Sequence, residues 1–231
     1  MGIFNIFKKD KKSLVKLEER QEVVNKICLK KKELTDLKAN VMVVLDFSGS
    51  MSNLYENGTV QETLNRLLPL AMKFDDNGEM PFYIFSNDYH ELKTVTLNNF
   101  EDYIEKEKPH RKYHMGGTRY SNVCEHIVSN YKNNKTPTFV LFITDGECSD
   151  RNSSEKIIRE SSKYPIFWQF VGIGNERFDF LQNLDDMERE VDNTDFFSVR
   201  NISRIEDKEL YENLLGEFPS WIKVAKSKGI L

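Results

Sequence analysis

The sequence predicts an α/β fold with a doubly wound, mostly parallel central sheet, one antiparallel edge strand and helices on both faces. Three observations predict it. Val41–Leu45 (VMVVL), Pro81–Phe85 (PFYIF), Thr138–Ile143 (TFVLFI) and Ile166–Ile173 (IFWQFVGI) are short, rich in β-branched and aromatic residues, and apolar on both alternations. Strands buried on both faces read this way, and they belong to parallel sheets covered by helices. Amphipathic stretches lie between these segments, and the alternation continues over about 180 residues with no internal repeat or low-complexity linker.

The elements follow in order from Asn40. After the first strand, Thr59–Met72 carries Val60, Leu64, Leu67, Leu68 and Ala71 on one side, and its opening Thr59-Val60-Gln61-Glu62 has the pattern of a capping box. Pro69 falls late in that run, so the helix is expected to kink or end early there. Leu92–Leu97 (LKTVTL) alternates and is expected to form the edge strand with one wet side. Further helices are expected over Arg119–Tyr131, Ser153–Ser162, Phe178–Met187 and Asp207–Leu215. Residues 1–39 form a basic extension ahead of a domain at 40–231. Within the extension, Leu14, Leu17, Val24, Ile27 and Cys28 suggest a partly helical seam, while its lysine runs read as a solvated arm.

Composition narrows the function classes. The chain of 231 residues is 39% hydrophobic, 12% aromatic and 30% charged, enough apolar material for a substantial core and too many aromatics for disorder. Residues 1–40 carry eleven Lys/Arg against six Asp/Glu, a balance of +5, so the rest carries −9 toward the total of −4. An acidic body argues against a general affinity for nucleic acid, which needs a basic face for phosphates. No apolar run approaches the roughly 20 residues of a membrane span. Three cysteines without paired spacing make no disulfide framework, and Lys8, Lys9, Lys11 and Lys12 follow a very short apolar start, unlike a signal peptide. A cytoplasmic protein is expected. The alternative use of Ile3, Phe4, Ile6, Phe7 and the lysines as a membrane-surface tag gains nothing from Gly2, because Ile6 stands where myristoylation wants Ser or Thr.

In a doubly wound sheet the ligand site lies at the carboxyl ends of the strands. There the sequence places Asp46-Phe47-Ser48-Gly49-Ser50-Met51, Thr144-Asp145-Gly146-Glu147 and, before the helix expected at Arg119–Tyr131, Gly116-Gly117-Thr118. These loops offer small oxygen donors beside glycines, and hard oxygens with few carboxylates suit Mg²⁺ or Mn²⁺. Alternate residues of an extended loop point the same way, so Asp46, Ser48 and Ser50 can converge on one ion. Read singly, each loop is also an ordinary turn: Asp, Ser and Gly are common there, and Thr118 is a credible helix N-cap. Glu147 and Asp150 read as solvated loop acids, Glu147 at the mouth of the site.

Asp46-x-Ser48-x-Ser50 after a buried strand, the distant Gly-Gly-Thr118, and Asp145 in Thr-Asp-Gly after a later central strand together resemble the metal-ion-dependent adhesion site (MIDAS) of von Willebrand factor A (vWA) domains. The resemblance spans about residues 40–228. It implies that Ser48, Ser50 and Thr118 bind a metal directly or nearly so, that Asp46 and Asp145 act partly through water, and that a partner protein donates an Asp or Glu to the open metal position. Tyr55-Glu56-Asn57-Gly58-Thr59, Leu67-Leu68-Pro69-Leu70-Ala71, Phe170-Val171-Gly172-Ile173-Gly174-Asn175, Phe196-Phe197-Ser198-Val199 and Glu217-Phe218-Pro219-Ser220-Trp221 further resemble TerF-type tellurium-resistance proteins. That similarity implies a cytoplasmic, stress-related binding module, not an enzyme, working among other Ter proteins.

Rival chemistries fit less of the sequence. A haloacid-dehalogenase-like phosphatase also keeps an Asp after its first strand but needs a second Asp two residues on, where this chain has Ser48. His110 and His114 have zinc-compatible spacing on a helix, yet Pro109 and Gly116-Gly117 suggest a loop and no third ligand is obvious. Cys148 reads as incidental, and Gly172-Ile173-Gly174 as strand-end backbone.

Overall fold

A computed structural model describes residues 11–231. Six strands form one sheet: β1 (Asn40–Asp46), β2 (Phe82–Phe85), β3 (Tyr89–Glu91), β4 (Thr138–Thr144), β5 (Ile166–Ile173) and β6 (Thr194–Val199). The helices are α1 (Lys11–Lys30), α2 (Ser52–Glu56), α3 (Thr59–Phe74), α4 (Tyr103–Glu107), α5 (Pro109–Lys112), α6 (Ser121–Tyr131), α7 (Arg151–Ser161), α8 (Asp179–Asp185), α9 (Asp207–Leu214) and α10 (Phe218–Ser227). Strand order is β3-β2-β1-β4-β5-β6, parallel throughout except that β3 runs antiparallel to β2. The chain leaves β1 toward β2 and later returns to the other side of β1 with β4. The carboxyl ends of β1 and β4 therefore flank the point where strand order reverses, which is where open α/β sheets open a crevice.

The two-sided apolar strands sort their residues by parity. Val41, Val43 and Leu45 of β1 and Phe139, Leu141 and Ile143 of β4 face one layer with α1, α3, α9 and α10. Met42, Val44, Val140 and Phe142 face the other, with Val123, Cys124 and Ile127 of α6 and Leu181 and Leu184 of α8. Aromatic rings fill the first layer: Phe218 stacks on Phe139 at 4.5 Å and 22°, and Trp221 packs 5.5 Å from Phe167.

Several expectations are corrected. The antiparallel edge strand is Tyr89–Glu91, whereas Leu92–Leu97 makes only a bridge between Val95 and Met80. The anchors of that segment, Leu92 and Val95, stand three apart, so a bend seats both in the core where a period-two strand would not. Pro69 does not end its helix, which runs on to Phe74. Leu70, Ala71 and Phe74 are fully buried beyond it, and that burial offsets the proline's cost of about 3 kcal/mol. The capping box does not form: Asn57 Oδ1 accepts from the Thr59 amide (3.0 Å), and Glu62 turns to Arg20. β6 and α10 are elements that periodicity alone does not mark.

The basic extension is not a loose arm over residues 11–30. There it is a 20-residue helix whose Leu17, Val24, Ile27 and Cys28 are buried, confirming the helical seam, while Lys16, Lys26 and Lys30 stay in water. Arg20 pairs with Glu62 of α3 and with Asp207 at the start of α9 (3.2 Å). Asp207 also receives Arg66 Nε at 2.7 Å. Ile3, Phe4, Ile6, Phe7, Lys8 and Lys9, invoked for a membrane tag, lie outside the described residues. Among the described residues no helix is long and apolar enough to cross a membrane.

Candidate metal centre

The three loops meet at the strand-order reversal. Asp46 ends β1 fully buried and does not itself reach the surface. Its Oδ1 accepts from the Ser48 amide (2.7 Å) and its Oδ2 from the Thr144 hydroxyl (2.5 Å). The Tyr55 hydroxyl donates to the Asp46 carbonyl at 3.1 Å. Ser48 is extended, then Gly49–Met51 winds into a 3-10 turn that brings the Ser50 hydroxyl back to 3.0 Å from that of Ser48. The Ser50 hydroxyl donates to Asp145 Oδ1 at 2.7 Å. The exposed part of the site is thus the Ser50 hydroxyl and the half-buried Asp145 carboxylate, with the buried Ser48 hydroxyl beside them and Asp46 one layer behind; the alternation of an extended loop does not describe it.

Gly116 forms a parallel bridge with Ser48, and the Gly49 amide donates to the Gly116 carbonyl at 3.1 Å. This brings the Gly-Gly-Thr loop against the first loop. Both glycines lie close to Asn87 in the β2–β3 turn: an added Cβ would lie 2.8 Å from Asn87 Nδ2 at Gly116 and 2.8 Å from Asn87 Oδ1 at Gly117, so the Asn87 side chain would have to move. Asn87 Oδ1 in turn accepts from the Gly117 amide at 3.1 Å. Thr118 is half-buried beside Gly146, its hydroxyl donating to the Glu147 carbonyl at 2.6 Å. It is therefore tied to the Asp145 loop and does not cap α6.

That cap comes from Asp150, which by sequence reads as a solvated acid. Asp150 accepts from the Tyr120 amide (3.0 Å), the Ser121 amide (3.2 Å), the Ser121 and Ser154 hydroxyls and the Cys148 thiol. Burial alone would raise its pKa, but these bonds to the charged form bring it below the ordinary carboxylate value. Tyr120 donates to the Gly146 carbonyl at 2.8 Å, so α6 and the β4 loop are locked together. Glu147 pairs with Arg151 at 2.8 Å, beside the site. Asn87, Tyr120, Thr144 and Asp150 escape a reading by sequence, because turn and cap residues carry no periodic signal; only contacts across loops assign them.

Electrostatics suit a cation. Burial pushes the Asp46 carboxyl up to about 6, opposed by the Thr144 and Ser48 hydrogen bonds and reinforced by Asp145. Burial also raises Asp145, with the Ser50 hydrogen bond opposing. The donor spacing fits as well: cis oxygens of an octahedral Mg²⁺ with bonds of 2.0–2.1 Å stand about 2.9 Å apart, and the Ser48–Ser50 and Ser50–Asp145 separations are 3.0 and 2.7 Å. The histidine pair does not assemble, since α5 ends at Lys112 and Tyr113 is extended before His114. Among the described residues no group of three or more His, Cys, Asp or Glu is placed to hold a metal, so a metal here depends on hydroxyl donors. Cys148 is buried and its thiol is pushed up to about 12, first by burial, which agrees with an inert role.

Known proteins share this architecture. The SpRpn10 vWA domain superposes with a TM-score of 0.52 at 14% identity, covering 75% of this chain and 94% of its own. Proximal thread matrix protein 1 of the mussel byssus, solved with a zinc-occupied MIDAS motif, superposes with a TM-score of 0.54 at 14% identity over 79% of this chain and 46% of that one. This chain thus spans about half the length of that protein. In sequence, YcbR of Bacillus subtilis strain 168 is 44% identical over 212 residues, 89% of this chain and 86% of its own. The model of the vWA domain found in the C-terminus of TerF matches residues 38–231, and the chain therefore belongs to the vWA-TerF-like family.

Proposed function

We propose that this vWA domain is a divalent-metal-dependent protein-binding module. vWA domains typically serve as interaction modules, and some of the solved neighbours carry a MIDAS motif. The observation that carries the reading is the cluster of Ser48, Ser50 and Asp145 oxygens at octahedral spacing, backed by the buried Asp46. Ser48, Ser50 and Thr118 would hold Mg²⁺ or Mn²⁺ through their hydroxyls, with Asp46 and Asp145 acting partly through water and Glu147 at the mouth. When bound, the ion supplies a hard, electropositive position that an Asp or Glu of a partner protein can fill. Neutral hydroxyl donors leave that charge uncompensated, which is what makes a partner carboxylate a good ligand.

Both Asp46 oxygens are engaged, by the Ser48 amide and the Thr144 hydroxyl, and the position two residues on is a serine. This supports capture without bond-breaking over a phosphoryl-transfer role. Family membership supports a cytoplasmic setting among other Ter proteins in tellurium resistance or stress response, and the acidic body supports a protein over a nucleic-acid partner. The reading is tested by calorimetric titration of metal-free protein with Mg²⁺ and Mn²⁺, beside Asp46→Asn and Asp145→Ala. Saturable binding lost in both variants is expected. Unchanged affinity in a folded Asp46→Asn protein overturns the site.

A further inference from the structure

We propose that the partner segment is polyacidic, and that a basic strip on one side of the metal centre, Lys108 to His114, reads carboxylates flanking the one at the metal. This rests on the metal-centre reading and deepens it. From Lys108 to Cys124 an otherwise acidic chain has no Asp or Glu, while Lys108, His110, Arg111, Lys112, His114 and Arg119 all fall there.

The strip is built in place. The Tyr113 ring stacks on His90 of the edge strand β3 at 3.8 Å and 13°, and Met115 packs against the core. Gly116 then bridges to Ser48, so only His114 and Met115, at most about 11 Å of extended chain, separate the stacked Tyr113 from Gly116 of the candidate site. His110, Arg111, Lys112 and His114 are exposed. Lys112 makes a half-exposed pair with Glu107 at 3.2 Å, while the Arg111 side chain has no hydrogen bond or ion pair among the described residues. The acid of the adjoining turn, Asp88, directs its carboxylate to the Tyr89 amide at 2.9 Å. Across the site Arg151 is paired with Glu147, and Arg119 lies 3.8 Å from Asp150. A carboxylate held at the metal would place its chain neighbours on the side of Arg111 and Lys112. A short strip on an acidic body suits a protein segment better than a phosphate backbone, which needs an extended basic face.

The test compares two synthetic peptides, one with a single Glu in a Gly/Ser frame and one with four consecutive Glu, binding the full chain in Mg²⁺ at low salt. The four-Glu peptide should bind on the order of tenfold tighter, and the gain should vanish in Arg111→Ala/Lys112→Ala while Mg²⁺ titration of that variant stays normal. An equal gain in wild type and variant overturns the strip and leaves the metal centre standing. Absence of Mg²⁺ uptake by wild type overturns the metal centre, and with it this inference. A single-stranded oligonucleotide of matched charge that displaces the four-Glu peptide equally well overturns the commitment to an acidic protein segment.

Discussion

Asp150 shows how much of the candidate metal centre rests on side chains outside the Ser48, Ser50 and Asp145 cluster. Five groups from α6, α7 and the β4 loop converge on its carboxylate, and one substitution unpins all three. Asp150→Ala should cost about 2–4 kcal/mol of unfolding free energy in urea denaturation, since several buried donors lose their acceptor at once. A loss below about 0.5 kcal/mol would place the cap elsewhere. At Gly117 the constraint is steric: a methyl would sit 2.8 Å from Asn87 Oδ1, the atom that accepts the Gly117 amide. Gly117→Ala should weaken Mg²⁺ binding in calorimetry, and adding Asn87→Ala should recover part of it by removing the obstacle. No recovery would show that loop placement does not depend on Asn87. The motif residues Asp46, Ser48, Ser50, Thr118 and Asp145 were legible because their types and order match a known motif. Their supports Thr144, Tyr120, Asn87 and Asp150 were not, because a hydrogen bond between loops 30 or 98 residues apart leaves no local pattern.

At the scale of elements, the buried strands were readable because a short segment apolar on both alternations fits a sheet covered on both faces and little else. Edge elements were not. β6 mixes Asp195 and Ser198 into its run and is only half-covered, and the β3 triplet is too short to show a period. In α1 the apolar seam was legible and is covered by α3 and α9, whereas the lysine runs misled toward a solvated arm. Leu17→Ala should lower stability by about 2–3 kcal/mol in one cooperative transition followed by circular dichroism. A separate early transition, with the main one unmoved, would mean that α1 docks independently of the domain. Arg66 makes a related case: its guanidinium, 3% exposed, serves Asp207 and the Ile202 and Ile205 carbonyls. Arg66→Ala should cost about 3 kcal/mol or more, because the Ile202 and Ile205 carbonyls lose their donor and Asp207 is left with Arg20 alone.

Across the whole molecule, buried carboxylates couple stability to pH. Asp185 is pushed up to about 7, first by burial and then by Asp195, Glu217 and Asp192 facing it, with a hydrogen bond from Thr194 opposing. A folded-state pKa above the unfolded value means that the folded form holds this proton more tightly. Its stabilising contribution is complete below about pH 4 and is lost as pH rises through about 7. The melting temperature of metal-free protein should therefore fall between about pH 5 and 7.5, and Asp185→Asn should flatten the fall. A wild-type curve unchanged by that substitution would remove Asp185 as a contributor.

Sequence alone determined the doubly wound class for a local physical reason, and the five motif residues through their resemblance to a known family. Two-sided apolar strands need helices on both faces, whereas each hard-oxygen loop read singly is also an ordinary turn. Only the tertiary structure decided that Asp46 stands behind the hydroxyls, that Thr118 is held by the β4 loop while Asp150 caps α6, and that the Lys108–His114 strip borders the metal centre. Those outcomes depend on which loops the strand order β3-β2-β1-β4 brings side by side. That adjacency is a long-range property of packing, set by the burial of both sheet faces, and no window of sequence contains it.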